Sequence, residues 1–260
     1  MFDPLQGGEG LAPNASALYR EAIVIDGLDT SRWGSEAVCR DLRDGGVTAI
    51  NATVAIWDDF RSTLGHITDW LGWFEKFSEY VRPARTVEDI RAAKRERRTG
   101  VILGWQNATP IENDLRRLAL FWQLGVRIIQ ITYNERNLLG NGCYERTDDG
   151  LSKFGQAAVR EMNRLGILID LSHTGDRTVM DTIELSEAPV AFTHANARSQ
   201  RDHPRNKTDE AIRLLVEKGG VIGSNAFPMF LPKGFDSTLD DYLDCIDYLV
   251  NMVGPDHVAI

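Results

Sequence analysis

Ile167-Leu-Ile-Asp-Leu-Ser-His173 and Pro189-Val-Ala-Phe-Thr-His194 are two short apolar runs, each ending in a histidine. Runs of this length and aliphatic content, bounded by polar turns, read as buried strands. The segment between them, residues 177–185, reads as a helix, so the pair forms a βαβ unit with a histidine at the carboxyl end of each strand. Parallel strands then place both imidazoles on one rim of a sheet. A single histidine at a strand end is most often a hydrogen-bonded structural residue. Its repeat on consecutive strands gives a metal-binding or catalytic reading equal standing.

Working outward, strand-like and helix-like segments alternate along almost the whole chain. Strands are expected at residues 23–26, 47–54, 100–105, 126–131, the two histidine runs, 220–225 and 257–260. Helices are expected at residues 16–22, 35–44, 62–80, 86–98, 114–124, 152–165, 177–185, from Thr208 onward, and 238–253. Thr86-Val-Glu-Asp is a capping box, and Gly125, Gly166 and Gly219-Gly220 stand where a left-handed residue would stop a helix before the next strand. Eight strands alternating with helices predict an α/β fold of the (β/α)8 barrel type, with the site at the strand carboxyl ends. A single domain over residues 1–260 is expected, with a flexible leader at 1–15 and the chain stopping at the eighth strand, before a closing helix. The alternative is a doubly wound open sheet, but neither GxGxxG nor GxxxxGK[ST] occurs.

Composition narrows the function. A chain of 260 residues that is 43% hydrophobic can bury one large core. A net charge of −9 and a pI near 5.1 argue against nucleic acid or an anionic membrane as partner and favour a small-molecule substrate. A homo-oligomer remains compatible. Cys39, Cys143 and Cys245 are odd in number and contain no CxxC, which fits reduced thiols in a cytoplasmic protein. The amino terminus has neither a basic start nor an apolar run, so no signal peptide is read, and no stretch approaches a membrane span. A GxSxG elbow is missing, and Lys76, Lys94, Lys153, Lys207, Lys218 and Lys233 all fall in or beside helices or loops, against a Schiff-base enzyme.

Thr132-Tyr-Asn-Glu-Arg-Asn137, the run from Asp148 to Asn163, Asp170-Leu-Ser-His173, Thr193-His-Ala-Asn-Ala-Arg198 and Asp202-His-Pro-Arg-Asn206 occur in an order and at spacings that resemble the membrane (renal) dipeptidase family of amidohydrolase-type barrels. The similarity begins near Ala22. It implies two zinc ions at the barrel mouth and hydrolysis of a dipeptide. His173 and His194 match the family's later histidine ligands. The family's first-strand Asp-Gly-His-x-Asp stands here as Asp26-Gly-Leu-Asp-Thr30, and the bridging glutamate falls on Gln106. Leucine cannot bind zinc, and a neutral amide is a weak ligand that does not bridge. The side chain of Asp29 would alternate to the opposite face from the neighbouring ligand positions.

The resemblance therefore implies a metal-dependent hydrolase of the dipeptidase type with a reduced site. That site would hold one zinc ion on His173 and His194, completed by water and Gln106 or by an aspartate beyond Ile260. Arg205 matches the family's substrate-carboxylate arginine, the alternative being a loop arginine paired with Asp202 or Asp209. Tyr133 occupies a substrate-contacting place or is a buried tyrosine with a satisfied hydroxyl. No catalytic proton carrier is assignable. His203 is expected to be exposed in a loop, His66 on a helix outside the barrel, and His257 at the non-catalytic end of a strand. Trp57-Asp-Asp59 puts two acids on a rim loop, as solvated residues or as partners of an amine. The second functional class is a barrel that has lost peptide hydrolysis and binds or transforms another small molecule.

Overall fold

The structure, a computed structural model, describes residues 13–260, with side chains from residue 15 onward. The elements run α1 (Pro13–Glu21), β1 (Ile25–Asp29), α2 (Glu36–Asp44), β2 (Ala49–Ala55), α3 (Phe60–Lys76), β3 (Val81–Pro83), α4 (Val87–Glu96), β4 (Thr99–Trp105) and α5 (Arg116–Leu124). They continue with β5 (Val126–Gln130), α6 (Lys153–Leu165), β6 (Leu168–Asp170), α7 (Asp176–Leu185), β7 (Ala191–Phe192), α8 (Asp209–Glu217), β8 (Val221–Gly223), α9 (Leu239–Val253) and β9 (Val258–Ala259). All strand pairs are parallel, in the order β1-β2-β4-β5-β6-β7-β8-β9. This is a nearly closed (β/α)8 barrel, as the alternation of patterns predicts. Among the described residues no ladder joins β9 to β1.

Local chemistry sets the boundaries. Thr86 and Asp89 form the expected capping box of α4, Ser152 caps α6 by accepting from the Gly155 N–H, and Gly166 ends that helix at φ +72°. Cβ-bearing residues rarely adopt that angle, so glycine at this position lets the chain turn directly into β6. The helix expected over residues 62–80 starts earlier, because Asp59 caps it by accepting from the Ser62 N–H, and it ends at Lys76. β3 was not expected. Its three residues include a proline and show no periodicity, and they are held by pairing with the start of β4. His257 lies in a short 3-10 turn, Pro255–His257, rather than at the start of a strand; its Nδ1 bonds the Gly220 carbonyl. Of the expected leader, residues 1–12 lie outside the described residues and residues 13–15 already belong to α1.

The buried core includes Ile50, Leu103, Ile129, Ile169, Phe192 and Ile222 from the strands, with Trp70, Phe121 and Val179 from the helices. Register then positions the site. Gln130 pairs with Asp170, and Asp170 pairs with Ala191, so β5, β6 and β7 are level at these residues. Tyr133, His173 and His194 each follow three residues later, on the same rim. No helix among the described residues is long and apolar enough to cross a membrane.

Candidate active site at the barrel mouth

His173 and His194 meet: their Nε2 atoms are 3.0 Å apart and both residues are buried. Their other ring nitrogens decide what that approach means. His173 Nδ1 lies 2.7 Å from Asn134 Oδ1, an acceptor only, so Nδ1 carries the proton. His194 Nδ1 lies 2.7 Å from Thr193 Oγ1, whose own proton goes to Asp170 Oδ2 at 2.8 Å. The hydroxyl can therefore only accept from the imidazole. Both rings are then Nδ1–H tautomers, and two bare Nε2 lone pairs face each other. Orienting partners of this kind fix the tautomer and aim of metal-binding histidines.

Asp170 anchors the arrangement. Buried at the end of β6, its carboxylate accepts from Ser172 N at 3.0 Å, Ser172 Oγ at 2.6 Å, Thr193 N at 3.1 Å and Thr193 Oγ1 at 2.8 Å. These four bonds tie β6 to β7. Sequence reading passed over Asp170, Thr193 and Asn134. For Asp170 and Thr193 the available signal was their adjacency to the histidines in Asp-Leu-Ser-His and Thr-His; Asn134 gave none.

Arg205 is fully buried and does not form the loop ion pair that was the alternative reading. Nη1 donates to Ser172 O and Nη2 to His194 O at 2.8 Å, while Nε has no partner. Neither Asp202 nor Asp209 pairs with it: Asp209 accepts from Ser199 and Tyr248 instead. The guanidinium thus clamps the two backbone segments that carry the histidines. Lys207 is buried as well, donating to Thr174 O at 2.7 Å, and burial together with Arg205 pushes its pKa down to about 7. Burial first, then Arg205 and Lys207, hold both histidines well below the ordinary imidazole pKa, so the pair is neutral at neutral pH.

Tyr133 is half-buried and stacks on His173 with centroids 4.1 Å apart, and Trp57 meets Tyr133 edge-on at 5.2 Å. Gln106 follows β4 on the same rim. Its Nε2 donates to Thr53 Oγ1 at 3.2 Å and no bond joins it to the histidines. His203 is half-buried rather than exposed, accepting from Arg205 N through Nδ1. Asp29 is turned to Ser31 N. A cavity of about 320 Å³ opens beside His194, lined by Asp26, Leu28, Ser224 and Tyr242.

Two neutral lone pairs converge, but among the described residues no group of three His, Cys, Asp or Glu side chains is placed to hold a metal. Leu28 lines the cavity beside His194, and Thr30 is exposed. The nearby Arg205 and Lys207 add positive charge where a second dication would need carboxylates.

The chain is a parallel barrel that brings a pair of histidines together on its carboxyl rim. Residues 15–260 match the family model described as Membrane dipeptidase (Peptidase family M19), and the chain belongs to that family. Its relatives include an uncharacterised dipeptidase of Schizosaccharomyces pombe, 34% identical over 77% of this chain and 50% of that protein, and a dipeptidase of Clonostachys rogersoniana, 29% identical over 88% and 58%. The chain thus spans about half the length of these curated relatives. Among solved structures, an amidohydrolase from Pseudomonas aeruginosa is 44% identical with a TM-score of 0.91, covering 96% of this chain and 76% of that one.

Proposed function

We propose that this chain is a metal-dependent hydrolase that cleaves a dipeptide or a similar small amide at the barrel mouth, holding one zinc ion per chain on His173 and His194. The observation that carries the reading is the pair of facing Nε2 lone pairs 3.0 Å apart. Tetrahedral zinc with bonds of about 2.0–2.1 Å spaces two imidazole nitrogens by about 3.3 Å, so a small rotation of either ring admits the ion. Gln106 is a further neutral donor on this rim. When bound, the ion would supply a Lewis acid and lower the pKa of water toward neutrality.

The chain's own residues prepare that chemistry. Asn134, Thr193 and Asp170 hold both imidazoles in the tautomer that presents Nε2. Arg205 locks the backbone on both sides of the pair. Tyr133 covers one face of His173 and keeps water from it. The substrate is a small molecule, in keeping with the negative charge that disfavours nucleic acid and anionic membranes. The three unpaired cysteines fit a cytoplasmic setting.

A second reading, a barrel acting on another small molecule, is favoured by Leu28 in the cavity wall beside His194. Both are tested by incubating zinc-loaded protein and its His194→Ala variant with a panel of dipeptides. Hydrolysis by the parent that is lost in the variant is the expected result. Equal hydrolysis by both refutes the assignment of the site, and inactivity of a zinc-loaded parent on every dipeptide selects the second reading.

A further inference from the structure

On the outer side of the rim, α3 presents His66, Asp69, Trp70 and Trp73, spaced i, i+3, i+4 and i+7 and hence on one face of the helix. This face, the end of β2 and its following loop, and Trp33 from the β1–α2 connection enclose a cavity of about 270 Å³. Trp33 and Trp70 lie 4.9 Å apart at 55°, and Trp70 and Trp73 lie 5.1 Å apart at 76°, so the indoles form angled walls. Trp70 is buried, while Trp33 and Trp73 keep part of their surface open. Gly34 is left-handed at φ +83°, and a Cβ there would lie 3.0 Å from the Trp73 ring, so glycine allows this wall to close.

The charge in the cavity has one sign. Asp58 and Asp69 line it, together with His66, and among the described residues no lysine or arginine does. His66 Nδ1 bonds the Val54 carbonyl at 2.9 Å, which leaves it 3.7 Å from Asp58 Oδ1. Asp58 Oδ2 accepts from Ile56 N at 3.1 Å. The Asp69 carboxylate enters no hydrogen bond or ion pair among the described residues. Indole faces beside carboxylates attract an organic cation, because the ring quadrupole and the carboxylates pull on the same charge. The cavity at the opposite end of the barrel differs in sign. It is lined by Arg20, Arg43, Lys94, Arg97 and Arg98, and α2 and α4 end there, where cations answer the helix dipoles.

We propose that the cavity formed by Trp33, Trp70, Trp73, Asp58 and Asp69 is a binding site for a small organic ammonium ion, separate from the histidine pair. The site does not depend on the hydrolytic reading, because its occupancy is read by binding alone.

The probe is choline, compared with its uncharged carbon isostere in which a tert-butyl group replaces the trimethylammonium. Both are titrated into the purified chain by calorimetry and by intrinsic tryptophan fluorescence. Choline should bind saturably and about tenfold more tightly than the isostere. Asp58→Asn and Asp69→Asn should each weaken choline and leave the isostere unchanged, and Trp73→Leu should weaken both. Asp69 is exposed, so its variant keeps the test independent of folding defects at Trp73. His173→Ala should bind choline as the parent does. Equal affinity for choline and the isostere, absence of saturable choline binding, or loss of binding in His173→Ala with both aspartate variants unaffected would each overturn the proposal.

Discussion

Replacing Thr193 by valine keeps the β-branched shape and deletes the hydroxyl that decides the tautomer of His194. In the parent that hydroxyl donates to Asp170 at 2.8 Å and accepts from His194 Nδ1 at 2.7 Å. The first bond ends on a carboxylate and contributes about 1.5–3 kcal/mol, the second about 0.5–1.5 kcal/mol. Freed of its partner, His194 can move its proton to Nε2 and donate to His173 Nε2 across the existing 3.0 Å gap, which returns about 1 kcal/mol. The net expected loss is about 2 kcal/mol, seen as a lower urea midpoint with unchanged m value. The sharper readout is nitrogen NMR of histidine-labelled, chelator-treated protein. Both Nε2 atoms should be proton-free in the parent, and one should carry a proton in Thr193→Val. A parent in which either Nε2 is already protonated refutes the tautomer argument, whatever happens to stability.

Three further outcomes follow from the same network. The pKa of Lys207 is near 7 when folded against 10.5 for the free side chain, so between these values the unfolded chain binds the extra proton and stability rises with pH. Lys207→Met should flatten that rise, on the order of a few kcal/mol between pH 6 and pH 10 by about the same denaturation assay; an unchanged slope refutes it. Gly142→Ala sets a Cβ against the backbone of Asn134 and Glu135, so it should cost about 2–4 kcal/mol and disturb the Asn134 contact with His173, visible as a shifted His173 Nδ1 resonance. Converting Leu28→His, Thr30→Asp and Gln106→Glu together should add a second zinc and speed dipeptide hydrolysis over the parent. A triple variant that holds two zincs yet remains inactive would mean that the pocket serves another substrate.

The barrel was legible because its signals are local and repeated. Apolar runs of strand length recur along the chain, capping residues such as Thr86 and Ser152 and glycine stops at Gly125 and Gly166 mark several of the helices between them, and the elements fall within a few residues of the expected bounds. β3 escaped because its pairing with β4, not its own residues, makes it a strand. The convergence of His173 and His194 was legible from their common position at the ends of consecutive strands. Their tautomers were not, since these depend on Asn134, which is 39 residues from His173 and held in the left-handed region at φ +63°. The burial of Lys207 and Arg205 was hidden as well. Both sit in a polar loop of sequence whose inward path is set by bonds to backbone carbonyls of Ser172, Thr174 and His194.

The central claim is that the facing lone pairs of His173 and His194 form a seat for a single cation. The measurement that tests it most directly is zinc stoichiometry by elemental analysis, after exhaustive dialysis of the zinc-loaded protein, run beside His173→Ala and His194→Ala variants whose folding is checked by circular dichroism. About one zinc per chain in the parent, and none in either variant, is the result expected if His173 and His194 are the ligands that hold the ion. Two zincs that resist dialysis, or one that remains in both alanine variants, would contradict the account.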